Sequence, residues 1–304
     1  MRHLRRQIAV ALVTVGLTLG LTAGPAAADN GPRQTNYVAA LLYSALNADA
    51  SPPGANDWNC RPGARHPHPV VLVHGTAENR YTTWSELAPR LARDGYCVFA
   101  LNYSDMMATP FRGMGDIVNS AYQLQHFVDR VIRATGAREV DIVGHSQGGM
   151  MPRYYLQRLN GSRYVHRLIG LAPSNYGTTL YGVLPLVASL PGGAAVFGAP
   201  CQSCVQQTVG SLFLDDLNRG DDTVPSVRYT TIVTTYDEVV VPYSNAFLHD
   251  GGLRNITLQK VCTDDHTDHL GVPYDPIAIR LVRNALDPAH AKRPTCRFVP
   301  PVVG

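Results

Sequence analysis

A serine hydroxyl becomes a useful nucleophile only when it is held rigidly, left exposed and set beside a base. The stretch Val140-Asp141-Ile142-Val143-Gly144-His145-Ser146-Gln147-Gly148-Gly149 has the pattern for the first two conditions. An apolar-rich run that reads as a buried strand leads into G-x-S-x-G, and a helix-like stretch follows to about Leu159. A sharp strand-to-helix turn crowds the backbone, so its flanking positions favour glycine. It also sets Ser146 at a helix N-terminus, where free N–H groups and the helix dipole stabilise an oxyanion. The pattern alone also occurs in plain glycine-rich turns; the strand before it and the helix after it favour the nucleophile.

The base and its orienter should lie beyond the carboxyl ends of other strands, where active groups of a parallel sheet gather. Asp237 closes the β-branched run Tyr229–Thr235, and His269 lies in the loop after the last expected strand, Ile256–Val261. The order Ser, Asp, His is that of an α/β-hydrolase and not of the chymotrypsin or subtilisin arrangements. The expected roles are Ser146 as nucleophile, His269 as general base and then acid, and Asp237 as the group that fixes the imidazole tautomer. Glu238 should point elsewhere on an extended segment, and Asp215, Asp216, Asp221 and Asp222 read as solvated surface. His266 competes with His269, which is preferred because it abuts Leu270-Gly271 before the final helix; His249 follows no strand end. Asp264 to His269 offers metal-ligand types without a recognised spacing, so no metal and no cofactor are expected. Oxyanion donors are expected at the N–H of Gln147 and at Thr76, in the His74-Gly75-Thr76 loop after the Val70–Val73 run. His74 reads as structural.

These groups need a scaffold. Val70–Val73, Cys97–Leu101, the Ser146 strand and Leu168–Leu171 are short apolar runs bounded by turn residues, as in buried parallel strands. Between them lie helical patterns at Trp84–Arg93 and Asp116–Ala134, and others follow at Val205–Leu217 and Pro273–Leu286, with one more at Asn36–Asn47. The alternation predicts an α/β fold, a mostly parallel sheet with helices on both faces. Residues 168–214 contain no Asp, Glu, Lys or Arg. Within them, about 172–214 reads as an apolar cap or lid insertion, with Leu180, Tyr181, Val183, Leu184, Leu186 and Val187 as candidate acyl-chain contacts. An ordinary buried insertion is the alternative.

Residues 1–28 have the layout of a signal peptide: Arg2, Arg5 and Arg6, an apolar run from Ile8, then Ala26-Ala27-Ala28. The apolar run is short for a membrane span. An uncleaved anchor is the alternative, and Arg5-Arg6 alone does not choose an export route. Residues 29–304 are expected to form a single domain. Without the leader the chain has 23 basic and 23 acidic residues. No basic surplus points to nucleic acid or an anionic membrane. The expected partner is a lipid or other apolar ester, met by a monomer at an oil–water interface. Six cysteines behind a signal peptide point to disulfides in an oxidising, extracellular compartment. The sequence does not choose among the pairings. Sequential pairing, Cys60–Cys97, Cys201–Cys204 and Cys262–Cys296, suits an α/β fold whose neighbouring elements are local. A redox or zinc role for Cys201-x-x-Cys204 lacks a second C-x-x-C. Asn-x-Ser/Thr sites at Asn102, Asn160 and Asn255 carry little weight.

Val73-His74-Gly75-Thr76, Gly144-His145-Ser146-Gln147-Gly148-Gly149-Met150-Met151-Pro152-Arg153, Asp237 before Val239-Val240-Val241-Pro242, and His269-Leu270-Gly271 resemble the secreted actinobacterial class 2 lipases. The resemblance spans nearly the whole chain after residue 28. It implies an α/β-hydrolase fold, the same triad, three disulfides, no cofactor and cleavage of acylglycerol or related esters. Phospholipase A1 and short-chain carboxylesterase activities remain open on the same site. A non-catalytic fold that binds an apolar ligand is a rival from another class, and it does not require all three triad residues in order.

Overall fold

The computed structural model describes residues 30–104, 111–179 and 201–302. The expected leader and all six candidate acyl-chain contacts lie outside the described residues. Six strands, β1 (Val70–Val73), β2 (Val98–Leu101), β3 (Val140–His145), β4 (Val165–Leu171), β5 (Arg228–Val233) and β6 (Arg254–Thr257), form one sheet in the order β2-β1-β3-β4-β5-β6. Every neighbouring pair is parallel. The strand order turns back between β1 and β3, where Val73 lies opposite Gly144. A crevice opens beyond the strand ends at such a reversal, and both Ser146 and Thr76 follow these two strands.

Successive strand residues point to opposite faces, and the core divides accordingly. Val70, Leu72, Val98, Ala100 and Val143 pack with Leu87 and Leu91 of α3 (Leu87–Arg93) and with Ile277, Leu281 and Val282 of the last helix. Val71, Val73, Phe99, Leu101 and Ile142 pack on the other face against Leu124, Val128 and Val131 of α4 (Ile117–Thr135) and Met150 and Met151 of α5 (Gln147–Arg158). Asp116 caps α4 by accepting from Asn119 N–H, and Gly136 closes it at φ 73°. That φ suits a residue without a Cβ. Helix α1 (Tyr37–Leu46) agrees with expectation.

Some expected elements divide. The Trp84–Arg93 helix is instead α2 (Arg80–Trp84), capped by Asn79, followed by α3. Pro89 explains the break, since it has no N–H to return to Ser85 and its ring clashes there. The Val205–Leu217 helix is α6 (Gln202–Gln206) and α7 (Leu212–Leu217). Gly210 between them has φ 77°, and the Ser211 side chain caps α7 by accepting from Leu214 N–H. The Ile256–Val261 run pairs with β5 only through Thr257 and then coils into α8 (Leu258–Val261), which buries Leu258. Helix α9 (Pro276–Leu286) begins with Pro276 after the Asp275 cap. The three disulfides join Cys60–Cys97, Cys201–Cys204 and Cys262–Cys296, the sequential pairing. Among the described residues no helix is long and apolar enough to cross a membrane.

Candidate active site

Ser146 sits between β3 and α5 with φ 53° and ψ −126°. Such a backbone costs a non-glycine residue on the order of 1–3 kcal/mol and persists only when its surroundings fix it. Here Ser146 N–H donates to the Leu171 carbonyl of β4 at 2.9 Å, and its own carbonyl accepts from Gly149 N–H at 2.9 Å. The flanking glycines are a matter of space. A Cβ on Gly144 would lie 1.8 Å from the Gly148 carbonyl oxygen, and one on Gly148 would lie 2.2 Å from that of Val73. A neighbouring sheet strand and a helix start therefore hold the serine in place.

Asp237 and His269 come from loops beyond β5 and β6. Asp237 Oδ1 accepts from Val239 N–H at 3.0 Å and Val240 N–H at 2.7 Å. That leaves Oδ2 to accept from His269 Nδ1 at 2.9 Å. The bond puts the neutral ring's proton on Nδ1 and leaves Nε2 as the basic nitrogen. Burial alone would push the His269 pKa down and is the largest single influence. The charge and hydrogen bond of Asp237, aided by Glu238 and Glu78, together outweigh it and hold the imidazole above its ordinary 6.5. Ser146 and His269 line one cavity. Among the described residues no hydrogen bond joins the serine hydroxyl to the ring, a contact that commonly tightens only when substrate is bound.

Thr76 lines the same cavity, and Gln147 is the first residue of α5. The first N–H groups of a helix have no partner within it. The Thr76 hydroxyl donates to Gln147 Oε1 at 2.5 Å. Gln207 Nε2 donates to Thr76 Oγ1 at 2.8 Å and to Gln147 Oε1 at 3.0 Å, while Gln207 Oε1 accepts from the Ser174 hydroxyl at 2.7 Å. His74 stays out of this network. Its ring stacks on Tyr103, its Nδ1 donates to the Gly75 carbonyl, and burial pushes its pKa down to about 4.

The cavity encloses about 170 Å³ with mostly apolar exposed walls. Ser174, Thr178, Cys204 and Gln207 line it, so both described flanks of the charge-free segment reach the site. The rival groups lie elsewhere. His266 packs between Tyr236 and Phe298. His249 lies against Tyr176 and donates its backbone N–H to Asp222. Asp222 corrects the expectation of a solvated surface group: it is buried and accepts from the buried Arg153 guanidinium at 2.7 Å.

Sequence reasoning missed a layer beneath the serine. Glu238 was expected to point elsewhere, yet its Oε2 accepts from the His269 backbone N–H at 3.1 Å. Glu78, three residues beyond Gly75, accepts through Oε2 from Gly75 N–H, the Thr83 hydroxyl and His145 Nδ1. His145, inside G-H-S-Q-G, reaches the His269 carbonyl through Nε2 at 2.9 Å. A histidine next to Ser146 and an acid near the Thr76 loop were the available signals. Their convergence depends on register and rotamer, which the residue pattern does not express.

The family model for lipase (class 2) matches residues 67–269, more than half of the chain. A triacylglycerol lipase from Pseudarthrobacter phenanthrenivorans is 36% identical over 93 residues, which cover 29% of this chain and 27% of that protein. Lipase B from Pseudozyma antarctica is 26% identical over 205 residues, covering 64% of this chain and 54% of its own. Among solved structures, Aspergillus fumigatus lipase B has a TM-score of 0.63 at 24% identity, covering 84% of this chain and 61% of that one. The mature form of the Bacillus licheniformis lipase BlEst2 has a TM-score of 0.56 at 18% identity, covering 74% and 94%. The chain thus spans between about a quarter and about half the length of these curated relatives. The structural likeness is one of fold, that of the α/β-hydrolases.

Proposed function

Because the chain belongs to the class 2 lipase family, we propose that it is a carboxylic-ester hydrolase, a secreted lipase that cleaves acylglycerol esters through Ser146, His269 and Asp237. The observation that carries this reading is one cavity lined by Ser146 and His269, with His269 Nδ1 held by Asp237 at 2.9 Å. The free Nε2 takes the serine proton as Oγ attacks the ester carbonyl. Thr76 and the Gln147 N–H receive the developing oxyanion. On collapse the protonated His269 returns the proton to the departing alcohol, and an acyl group remains on Ser146. Water deprotonated by His269 then attacks the acyl-enzyme and releases the acid. The apolar cavity wall suits the acyl chain. Removal of residues 1–28 during export would place the disulfides in an oxidising compartment.

A short-chain carboxylesterase is the second reading. Its support is the cavity volume of about 170 Å³, below the roughly 300–1,000 Å³ of common small-molecule pockets. The test assays the mature parent and Ser146→Ala on emulsified triacylglycerol, phosphatidylcholine and a soluble ester series. Triacylglycerol turnover that rises when the substrate forms an emulsion, and is lost in the variant, is the expected result. Turnover confined to soluble short esters selects the second reading, and preference for phosphatidylcholine selects a phospholipase. N-terminal sequencing of the exported chain should begin at about residue 29.

A further inference from the structure

His145 is 1% exposed, and the Glu78 side chain that faces it is 3% exposed. The two ring nitrogens of His145 meet two acceptors. Nδ1 lies 2.9 Å from the Glu78 carboxylate, and Nε2 lies 2.9 Å from the backbone carbonyl of His269. A neutral imidazole has one N–H and a carbonyl oxygen cannot donate, so only the doubly protonated ring satisfies both contacts. The other assignment, a neutral Glu78 acid donating to Nδ1, conflicts with the rest of the carboxylate's environment. The same Oε2 already accepts from Gly75 N–H at 2.9 Å and the Thr83 hydroxyl at 2.8 Å. Burial alone would raise the Glu78 pKa and is the largest influence on it. The His145 charge and these hydrogen bonds together reverse the direction and bring it down to about 2.

We propose that Glu78 holds His145 as a buried imidazolium, and that this pair is a positioning device which aims the catalytic imidazole by gripping the His269 carbonyl. The inference rests on the triad reading. His269 is held at three points: Glu238 takes its N–H, His145 donates to its carbonyl and Asp237 takes its Nδ1–H. The ring centroids of His145 and His269 are 4.8 Å apart, so loss of the grip is felt directly at the base. The pair also joins the oxyanion loop to the base loop, because the Gly75 N–H ends on the same carboxylate oxygen. One buried acid thereby sets the spacing between the two sides of the site.

Without the Glu78 charge, His145 gives up one proton and can donate to only one of its two partners. Misplacing a catalytic group by about 1 Å costs on the order of 100-fold in rate. Glu78→Gln should therefore lose about 10- to 100-fold in kcat while KM stays within about twofold, because neither residue is asked to bind the acyl chain. The direct test is nitrogen NMR of the full-length mature enzyme labelled with 15N-histidine, the His145 signals being assigned by their loss in His145→Asn. Two protonated ring nitrogens on His145 at neutral pH are expected in the parent, and one bare nitrogen in Glu78→Gln. A bare nitrogen in the parent overturns the proposal, and this result needs no variant of Glu78 to fold. Parental kcat in a folded Glu78→Gln whose His145 is neutral also overturns it. Ser146→Ala separates the two readings: full turnover there sinks the triad, whereas the ring protonation is read independently of turnover.

Discussion

Strand β3 carries a histidine–carboxylate pair at each end, and the two are built in opposite ways. At its start, Asp141 accepts from His166 Nδ1 at 3.0 Å, while the guanidinium of Arg228 approaches His166 Nε2 and that of Arg167 also touches the ring. A guanidinium only donates, so His166 faces donors at both ring nitrogens, from Arg167 at Nδ1 and Arg228 at Nε2, besides the Asp141 carboxylate. The His166 side chain is 18% exposed. At the strand's end, His145 meets two acceptors and is sealed from solvent. Similar residues at similar separation thus meet different partners: one ring is flanked by guanidinium donors as well as a carboxylate, the other only by acceptors. Only the second pair lies at the carboxyl ends of β1 and β3, where the strand order reverses.

The largest contrast between the two ends should come from the reacting groups. Ser146→Ala should lower kcat by on the order of 10⁴-fold or more. Asp237→Asn should cost about 10⁴-fold by allowing the wrong tautomer of His269. Equal activity in either variant, measured as initial ester hydrolysis, breaks the assignment of chemistry to the Ser146 end. Next comes Gln207→Ala, which leaves both proposed oxyanion donors in place but removes their shared partner. It should reduce kcat/KM about tenfold, less than the 100-fold or more for loss of a donor itself. An unchanged value would show that Thr76 and Gln147 hold their positions without it.

Acidity sharpens the comparison further. His269 must be neutral to act as base, and its pKa is held above 6.5. Activity should therefore fall as pH drops through a midpoint above 6.5, and a kcat/KM profile with its acid limb below that value contradicts the charge environment described. Glu78 has the opposite sign. Its folded pKa of about 2 lies below its ordinary 4.5, so its contribution to stability is present above about pH 4.5 and is lost as pH falls towards 2. Denaturation followed across that window should lose this acid dependence in Glu78→Gln. The smallest effect belongs to the start of β3. His166→Asn should change kcat by less than about twofold, and the partly exposed pair should contribute about 1 kcal/mol or less to stability.

Much of this frame was legible in the residues. Four apolar runs and the β-branched run marked five strands, Ile256–Val261 overlapped the sixth at its end, and the G-x-S-x-G stretch marked the turn because no other residue type fits at Gly144 and Gly148. Asp237 and His269 were found by chain order and strand ends, and the structure brings them within hydrogen-bonding distance. Hydrophobic pattern did not disclose where α2 gives way to α3 or where β6 coils into α8. Pro89 carried the first signal locally, whereas the second depends on Leu258 finding the core. Glu78, Gln207 and Glu238 were illegible for another reason. Each is a polar side chain whose role lies in a partner it reaches across 31 to 131 positions of chain. Asp222 misled for the same reason: in a polar loop it reads as solvated, yet it compensates a buried arginine.

The central claim is that Ser146 is the nucleophile and that it carries the acyl group. An alkyl phosphonate ester, which traps an activated serine covalently, should be incubated with the mature enzyme and the modified residue located by peptide mass spectrometry. One adduct per chain on Ser146, formed with complete loss of esterase activity and absent from Ser146→Ala, is the predicted result. An adduct on another residue, or full inactivation with Ser146 unmodified, would contradict it.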